Sequence, residues 1–332
     1  MKVIKWGILG TGRIAGIFAG DLQFAEGCEL VAVGSRSQEG ADKFGEKFNV
    51  KHRHASYEAL VQNPGVDVIY IATPHSMHYE NALLCINHNK AVLCEKAFAI
   101  NTRQALEMIN LAMEKKVFLM EALWTKFLPH FIKTQEMIQQ GVLGDIRSVL
   151  ANFGFKPVAP VNPRLFEPRL GGGTLMDIGI YNVFLATSIL GKPDHINAVM
   201  TPASTGVDEQ CSIVFRYKNG AMAQLFSTFQ ANLATDADIC GSEGRVRLTS
   251  RFYEPSATIQ YYKTWNEMET VPVREREGIG YQYEARHVNE CLRQGLTESP
   301  IIPFAETIER METLDKIRDI MGVRYPEDDH VG

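Results

Sequence analysis

The sequence predicts an α/β protein in which a doubly wound parallel sheet is followed by an α+β domain with an open, mostly antiparallel sheet. Strand and helix patterns alternate through the first third of the chain, which is typical of a parallel sheet covered by helices. From about residue 145 polar and apolar residues alternate instead, as they do in antiparallel strands. Since 332 residues exceed the usual size of a single core, we predict two domains, residues 1–122 and residues 123–332.

The composition limits the possible partners. The chain has 34 Lys and Arg against 39 Asp and Glu, a net charge of −5, so it has no general attraction for nucleic acid or anionic membrane. We therefore predict a small-molecule substrate, with no nucleic-acid or membrane partner. The six cysteines lie apart in apolar segments without C-x-x-C spacing, which indicates reduced thiols and neither a disulfide framework nor a zinc site.

The chain carries no pattern that marks it for export or membrane insertion. We expect no apolar run long enough to span a bilayer, and the N-terminus enters its first strand without a signal-peptide pattern. We predict a cytoplasmic location.

The first strand, residues 3–9, ends in the motif G-x-G-x-x-A and opens a helix. Such a turn directs unpaired backbone N–H groups and the positive end of the helix dipole toward an external anion. Gly10 permits the tight turn, Gly12 lets the backbone approach phosphates, and the small Ala15 lets helix and strand pack closely. The motif predicts that a dinucleotide pyrophosphate binds at this turn of a Rossmann unit.

The residues after the second strand, residues 28–34, indicate which dinucleotide is bound. An Asp or Glu at this position accepts the ribose hydroxyls of NAD, whereas an Arg accommodates the 2′-phosphate of NADP. Here the position offers Ser35, Arg36 and Ser37, and a carboxylate is missing. We therefore predict NADP, with NAD possible but weaker; the alternative is that Arg36 is a solvated loop cation.

Further strands are predicted at residues 66–72, 91–94 and 117–120, with a helix capped by Asn101 or Thr102 before the last of them. The Rossmann unit is then complete near residue 122. In the second domain, two strands flank a turn at residues 218–220.

Two predicted strand ends carry polar residues, at the edge of a parallel sheet where ligands bind. The segment Thr73, Pro74, His75 to His78 follows one strand, and Glu95-Lys96 follows the next. The alternative for Glu95 and Lys96 is a surface ion pair. A metal pair at His75 and His78 is conceivable, but no third ligand has matching spacing, so we predict no metal.

A third polar element follows a glycine-rich loop at residues 171–173. The loop leads into an apolar helix that continues to Leu190, and Asp177 and Tyr181 lie four residues apart within it. On a helix this spacing places the carboxylate and the phenol on one face. The alternative is a Tyr–Asp hydrogen bond inside a helix interface.

Taken together, these segments resemble the Gfo/Idh/MocA oxidoreductase superfamily over nearly the whole chain. Residues 120–127, 164–166, 177–181 and 205–210 resemble its dimeric dihydrodiol dehydrogenase branch, which includes NADP-dependent D-xylose dehydrogenases. In one departure, Ala97 follows the Glu-Lys pair where relatives commonly have Pro, which removes a backbone restraint beside Lys96.

The resemblance implies that Lys96, Asp177 and Tyr181 converge on a substrate hydroxyl beside the nicotinamide. A free tyrosine titrates at a pKa of about 10, so the phenol of Tyr181 needs the Lys96 cation to act as general base. Asp177 is then the orienting group. The resemblance also implies substrate contacts by Trp124, Phe153 and Arg164. The residues expected to contact the cofactor are Gly10, Gly12, Arg13, Ile14, Ser35, Arg36, Thr73, Pro74, His75, His78, Glu95 and Lys96.

These expectations describe an NADP-dependent dehydrogenase of a secondary or hemiacetal hydroxyl of a sugar or cyclic trans-diol, acting as a homodimer paired through the open sheet. Two alternatives stay open at this point. One is a glycosidase that uses a tightly bound dinucleotide for transient oxidation, and the other is a non-catalytic regulator that senses NADP.

Overall fold

The computed structural model describes residues 2–275 and 277–329, and its contacts divide the chain into two compact units. The first unit comprises Met1–Trp124 and Arg276–Ile308. The second comprises Thr125–Glu275 and Glu309–Gly332.

The first unit is built on a six-stranded parallel sheet of order β3-β2-β1-β4-β5-β6. Its strands are β1 (Ile4–Leu9), β2 (Cys28–Gly34), β3 (His52–His54), β4 (Val68–Ile71), β5 (Ala91–Glu95) and β6 (Leu119–Ala122). Its first five helices are α1 (Arg13–Leu22), α2 (Gln38–Phe48), α3 (Tyr57–Val61), α4 (His78–Asn87) and α5 (Thr102–Lys115). This topology confirms the predicted doubly wound sheet.

The apolar runs form the central strands because both faces of a doubly wound sheet are covered by helices. All four residues of β4 are buried, as are all five of β5. Asn101 caps α5 by accepting a hydrogen bond from the Gln104 backbone N–H at 3.0 Å, which confirms the first of the two predicted caps.

The first unit also includes a segment from late in the chain. Helix α8 (Tyr281–Arg293) packs on α1, where the buried Asp21 carboxylate accepts hydrogen bonds from the backbone N–H groups of residues 279–281. Trp6 Nε1 donates to Asn289 Oδ1 at 2.9 Å. The predicted division at residues 122 and 123 differs in this respect, because a linear boundary cannot anticipate a late segment that returns to the first core.

The second unit is built on an eight-stranded sheet of order β14-β13-β12-β11-β7-β10-β9-β8, antiparallel except for β7 and β10. Its strands are β7 (Ile146–Gly154), β8 (His195–Pro202), β9 (Asp208–Arg216), β10 (Met222–Thr228), β11 (Ala237–Gly241), β12 (Arg245–Thr249), β13 (Thr258–Tyr262) and β14 (Met268–Val271). Its helices are α6 (Pro129–Gln139) and α7 (Ile180–Leu190), and the last helix, α9 (Phe304–Met321), crosses the boundary between the units at residues 308 and 309. The open, mostly antiparallel sheet is thereby confirmed.

The two faces of this sheet differ. Val149 and Ala151 of β7 are buried under α7, whereas Leu150 between them is 43% exposed. The register places Val199 (69% exposed) and Met222 (46% exposed) on the same face as Leu150. This sheet therefore has a packed inner face and an outer face that carries exposed apolar side chains.

The expectation that no apolar run is long enough to span a bilayer is wrong for one helix, judged by length and composition alone. The segment Pro168–Leu190 passes that test because its hydropathy stays high across a few polar residues. However, 72% of its most apolar 18-residue window is buried inside the protein, as in the core helix of a globular unit. All six cysteines are free thiols, four of them buried and two, Cys28 and Cys240, partly exposed.

Candidate active site

The turn between β1 and α1 leaves a helix N-terminus open. Gly10 has a φ of +104°, and a Cβ there would lie 3.0 Å from the Ala72 carbonyl oxygen, so only glycine fits. Gly12 is the N-cap of α1 without a side-chain cap, and nothing lies within 4 Å of the position of its missing Cβ. The exposed Arg13 and the half-buried Ile14 follow. Uncapped amide groups beside open space fit the phosphates of a dinucleotide.

A groove of about 850 Å³ begins at this turn and runs between α1 and α2. Its walls include Gly16, Ile17, Phe44 and Phe48. The groove keeps the first turn of α1 accessible from the helix side of the sheet.

At the end of β2, the exposed Arg36 lies between two serines that make hydrogen bonds within the protein. Ser35 is buried, and its backbone N–H donates to the His54 carbonyl oxygen at 3.0 Å. Ser37 caps α2 by accepting from the Gly40 backbone N–H at 3.1 Å. Arg36 is exposed. Burial raises the pKa of Tyr57, and the charge of Arg36 opposes that rise. Arg36 is therefore the cation of this trio that a ligand can reach.

Helix α4 begins with a histidine that ties two strand-end loops together. His78 is fully buried, with Nδ1 at 2.8 Å from the Ala97 carbonyl oxygen and Nε2 at 2.9 Å from the Thr73 carbonyl oxygen. His75 is also buried and packs edge-on against the His78 ring, and Pro74 precedes it. Both ring nitrogens of His78 are therefore engaged by backbone carbonyl oxygens of the protein. Direct contact of His78 with a cofactor stays a prediction.

The same contact bears on the missing proline after Lys96. The Lys96–Ala97 peptide bond is cis, and Ala97 is buried with its carbonyl oxygen held by His78. The backbone beside Lys96 is thus held by a hydrogen bond to His78 and not by a proline ring.

Glu95, the last residue of β5, faces the interior of the first unit. Its carboxylate accepts hydrogen bonds from the Tyr70 hydroxyl and, at 3.2 Å, from the Lys96 backbone N–H. Burial raises the pKa of Glu95 to about 7, and the charge of Lys96 opposes that rise. Nearby on α8, burial and the Glu95 charge raise the pKa of Glu284, whose carboxyl oxygens are buried and find no partner among the described residues. The pair Glu95 and Glu284 therefore favours holding a proton.

Trp124 lies just after β6, in the first unit. Its ring stacks on that of Tyr281, with centroids 4.3 Å apart and an interplanar angle of 9°. The stacking fixes the orientation of the Trp124 side chain, which is the property that a wall of a substrate pocket needs.

In the second unit, Asp177 and Tyr181 lie on one continuous helix. A π-helical turn (Leu175–Gly179) leads directly into α7, and π-turns are frequent at functional sites. Arg164 Nη2 donates to Asp177 Oδ1 at 3.0 Å, and both side chains are half-buried. The structure thus brings together two residues that were predicted separately as substrate contacts.

An aromatic cluster surrounds Tyr181. Phe153, at the end of β7, stacks on Tyr253 with centroids 4.3 Å apart, and the Tyr181 ring lies 4.9 Å from Tyr253 and 5.9 Å from Phe153. Tyr253 is held through its backbone, since its carbonyl oxygen accepts from Thr125 Oγ1 at 2.8 Å. The phenol of Tyr181 therefore stands beside flat apolar faces of the kind that contact a sugar or cyclic-diol ring.

The predicted residues thus form two sets. The first unit holds all the expected cofactor contacts and Trp124, and the second unit holds Phe153, Arg164, Asp177 and Tyr181. Sequence reasoning missed Tyr70 and Glu284 behind Glu95, and Tyr253 beside Tyr181. Tyr70 sits inside an apolar strand and Glu284 on a helix distant in sequence, so neither lies in a local motif.

Comparisons with known proteins match both units. Residues 4–123 match the model of the oxidoreductase family with an NAD-binding Rossmann fold, and residues 131–247 match the GFO/IDH/MocA C-terminal domain. Together these matches cover most of the chain.

Relatives of similar length have named activities. The chain is 37% identical to trans-1,2-dihydrobenzene-1,2-diol dehydrogenase of Xenopus laevis, covering 97% of this chain and 99% of the relative. The Mus musculus enzyme of the same name is 37% identical over 98% of this chain and 99% of its own length. The Homo sapiens enzyme is 35% identical over the same shares.

Solved structures share the fold at lower identity. An aldose-aldose oxidoreductase from Caulobacter crescentus, complexed with glycerol, superposes with a TM-score of 0.87 at 24% identity, covering 96% of this chain and 97% of that one. A 3-ketoreductase from Actinomadura kijaniata, with NADP and TDP-benzene bound, gives 0.85 at 24% identity over 96% and 98%. A levoglucosan dehydrogenase with NADH and L-sorbose gives 0.85 at 20% identity over 97% of each chain.

Proposed function

The chain belongs to the Gfo/Idh/MocA oxidoreductase family, and on that premise we propose that it is an NADP-dependent dehydrogenase of sugars or cyclic trans-diols. The group oxidised is a secondary or hemiacetal hydroxyl. Its dihydrodiol dehydrogenase relatives, matched over nearly their full length, support the diol class, and a pyranose presents a ring hydroxyl of the same kind.

One observation carries the proposal. Tyr181 offers a phenol within the aromatic cluster of Phe153 and Tyr253, and Asp177, one helical turn away, is held by Arg164. A proton-transfer group beside flat apolar faces and a fixed carboxylate suits a ring that carries hydroxyl groups.

The proposed chemistry divides between two kinds of groups. When bound, the nicotinamide accepts the hydride in oxidation and returns it in reduction. Tyr181 takes the hydroxyl proton in oxidation and gives it back in reduction. Lys96 stabilises the phenolate form of Tyr181 and the oxygen of the substrate, and Asp177 orients the substrate hydroxyl.

The preference for NADP is also part of the proposal. The end of β2 has no carboxylate that would accept ribose hydroxyls and repel a 2′-phosphate, and it has the exposed Arg36. The N-terminus of α2 begins one residue after Ser37, so its dipole favours the same anion. NAD, which lacks that phosphate, is expected to bind more weakly.

We further propose that the protein is a cytoplasmic homodimer paired through the outer face of the eight-stranded sheet. The exposed side chains of Leu150, Val199 and Met222 on that face support the pairing. Sedimentation velocity checks this: a dimer is expected at assay concentrations, and Val199→Glu is expected to yield monomer. A monomeric wild-type protein would contradict it.

The function is tested with a panel of aldoses and cyclic trans-diols, assayed at 340 nm with NADP and with NAD. Tyr181→Phe is expected to lower kcat by roughly 10² or more, because the phenol carries the proton, while NADP binding is retained. Tyr217→Phe is the matched control, since it removes a phenol of the same unit whose hydroxyl, among the described residues, donates to the Gly191 carbonyl oxygen at 3.2 Å.

The outcomes separate the proposal from its alternatives. Wild-type turnover without net reduced cofactor would indicate a glycosidase that oxidises its substrate transiently. NADP binding with no turnover on the whole panel would favour a regulator. Unchanged turnover in Tyr181→Phe would remove the phenol from the mechanism.

A further inference from the structure

One sequence motif, residues 205–210, has no part in the site described so far. It contains Asp208, the first residue of β9, which is fully buried in the second unit. A buried carboxylate is costly unless the surrounding groups satisfy it, so its contacts indicate what it is for.

Asp208 grips the start of the helix that carries Asp177 and Tyr181. Its Oδ2 accepts hydrogen bonds from Thr174 Oγ1 at 2.5 Å and from the Leu175 backbone N–H at 2.7 Å. These are the residue before the π-helical turn and the first residue of that turn. A strand distant in sequence thus supplies the acceptor that a helix N-terminus usually finds in its own N-cap.

The glycines before this helix are shaped around the carboxylate. A Cβ on Gly173 would lie 2.4 Å from Asp208 Oδ1, and the φ of Gly173 is +111°. A second grip comes from the C-terminal segment, where the Tyr325 hydroxyl donates to the Gly172 carbonyl oxygen at 2.5 Å. The turn is therefore fixed from β9 and from the C-terminal segment.

Asp208 is the main acceptor for the Thr174 hydroxyl and the Leu175 backbone N–H. On its own strand, Cys211 Sγ lies 3.7 Å from Thr174 Oγ1, and burial raises the pKa of that thiol. Burial raises the pKa of Asp208 itself to about 6, so at neutral pH the carboxylate is ionised. An ionised acceptor gives hydrogen bonds roughly twice as strong as a neutral one.

We propose that Asp208 is a positioning residue: from β9 it fixes the first turn of the helix and so sets where Asp177 and Tyr181 stand against the substrate. The proposal rests on the proposed function for its catalytic consequence. A misplacement of reacting groups by about 1 Å can cost on the order of 10² in rate. Loss of the Asp208 hydrogen bonds, one turn before Asp177, could therefore lower the rate by shifting Asp177 and Tyr181.

The test compares Asp208→Leu, which removes both acceptors at similar size, with Asp208→Asn, which keeps an acceptor oxygen. Two readouts are used in the full-length protein. The first is kcat and KM with a panel substrate that the wild type turns over, and the second is hydrogen exchange of the backbone amides at residues 175–181. For Asp208→Leu we expect exchange to rise and kcat to fall about tenfold or more, with the KM for NADP within about twofold. Asp208→Asn should recover kcat to within about threefold.

A second pair of variants keeps the proposal testable if Asp208→Leu does not fold. Thr174→Val removes one donor and should lower kcat severalfold, whereas Thr174→Ser keeps the hydroxyl and should restore it. Thr313→Val is the matched control: Thr313 is a buried threonine of the second unit whose hydroxyl donates to the Glu309 carbonyl oxygen of its own helix at 2.8 Å.

The results that overturn the proposal differ from those that overturn the function. Unchanged exchange in Asp208→Leu, or raised exchange with kcat unchanged, would refute the positioning role. Equal losses in Thr174→Val and Thr174→Ser would do the same. A wild-type protein that turns over no member of the panel would refute the proposed function, and the exchange data would then still decide whether Asp208 holds the helix.

Discussion

Two glycine-rich turns in this molecule lead into helices, and they are built in opposite ways. In the turn of residues 10–12, the last glycine has nothing within 4 Å of its missing Cβ, and no side chain caps the helix that follows. In the turn of residues 171–173, a Cβ added to Gly172 would lie only 2.8–2.9 Å from backbone atoms of Arg164, Leu165 and Glu167. Asp208 then accepts the hydrogen bond from the helix start that follows.

The difference lies in where the anion for the helix N-terminus comes from. At the first turn the amide groups are left for an external anion, which fits a dinucleotide phosphate. At the second turn the protein supplies its own carboxylate, so the helix is held before any ligand arrives. Similar glycine spacing therefore serves recognition in one unit and rigidity in the other.

The largest expected effect comes from adding one methyl group to each turn. In Gly172→Ala the new Cβ meets three backbone atoms that cannot move cheaply, so we expect a loss of about 3 kcal/mol, or roughly 6–12 °C in the Tm of the second unit. In Gly12→Ala the Cβ enters open space at a φ of −74°, so stability should change by no more than about 1 kcal/mol. Differential scanning calorimetry measures both.

The same pair separates folding from binding. Gly12→Ala should weaken NADP binding by about tenfold or more, because its Cβ stands where a phosphate would approach the amides. Calorimetric titration with NADP checks this. Unchanged affinity would mean that the open turn is not the phosphate site, and a large loss of Tm in Gly12→Ala would contradict the openness of the turn.

The closed turn also has a pH signature. Burial raises the pKa of Asp208 to about 6 in the folded protein, above its ordinary value of 3.8, so between these values the native state binds more protons than the unfolded state. The contribution of Asp208 to the free energy of unfolding is therefore lost as pH rises through about 6. Asp208→Asn has no such loss, so its Tm relative to wild type should rise between pH 4.5 and 7.5, by the equivalent of roughly 2 kcal/mol.

This comparison of Tm between the two proteins cancels other titrating groups, such as Glu95, whose pKa burial also raises. A constant Tm difference between Asp208→Asn and wild type across that range would show that Asp208 is not held in a costly, ionised state. The open turn has no matching carboxylate, so the same measurement on Gly12→Ala should track wild type.

The sequence was enough to locate both turns but not to show that Asp208 holds the second one. The parallel strands follow from their continuous apolar runs, and the Asn101 cap follows from its place before an amphipathic helix. The spacing of Asp177 and Tyr181 was also sufficient to place them on one helix. Each of these features is determined by residues close together in the chain.

What could not be predicted depends on residues that are distant in sequence. Asp208 reaches Leu175 from 33 residues away, and Tyr325 reaches Gly172 from 153 residues away. The return of α8 to the first unit depends on Asp21, about 260 residues before it. Tertiary contacts of this kind have no periodicity or spacing that a single sequence reveals.

The smallest expected effect refines the open side of the comparison. Backbone amide groups attract any phosphate, so the turn of residues 10–12 by itself cannot distinguish NADP from NAD. The proposal gives that choice to Arg36, which is exposed at the end of β2. Arg36→Ala should therefore weaken NADP binding by about tenfold, the lower end of the value of a charge-assisted contact, and leave NAD within about twofold.

The control for this prediction is Lys51→Ala, which removes one positive charge from another exposed side chain of the first unit. If long-range charge alone attracts the dinucleotide, both variants weaken NADP equally, and the effect disappears at high salt because such attraction is screened. If Arg36 contacts the 2′-phosphate, only Arg36→Ala loses the preference over NAD. Equal losses for NADP and NAD in Arg36→Ala would place Arg36 at a group that the two cofactors share, and the open turn would then have no neighbour that reads the 2′-phosphate.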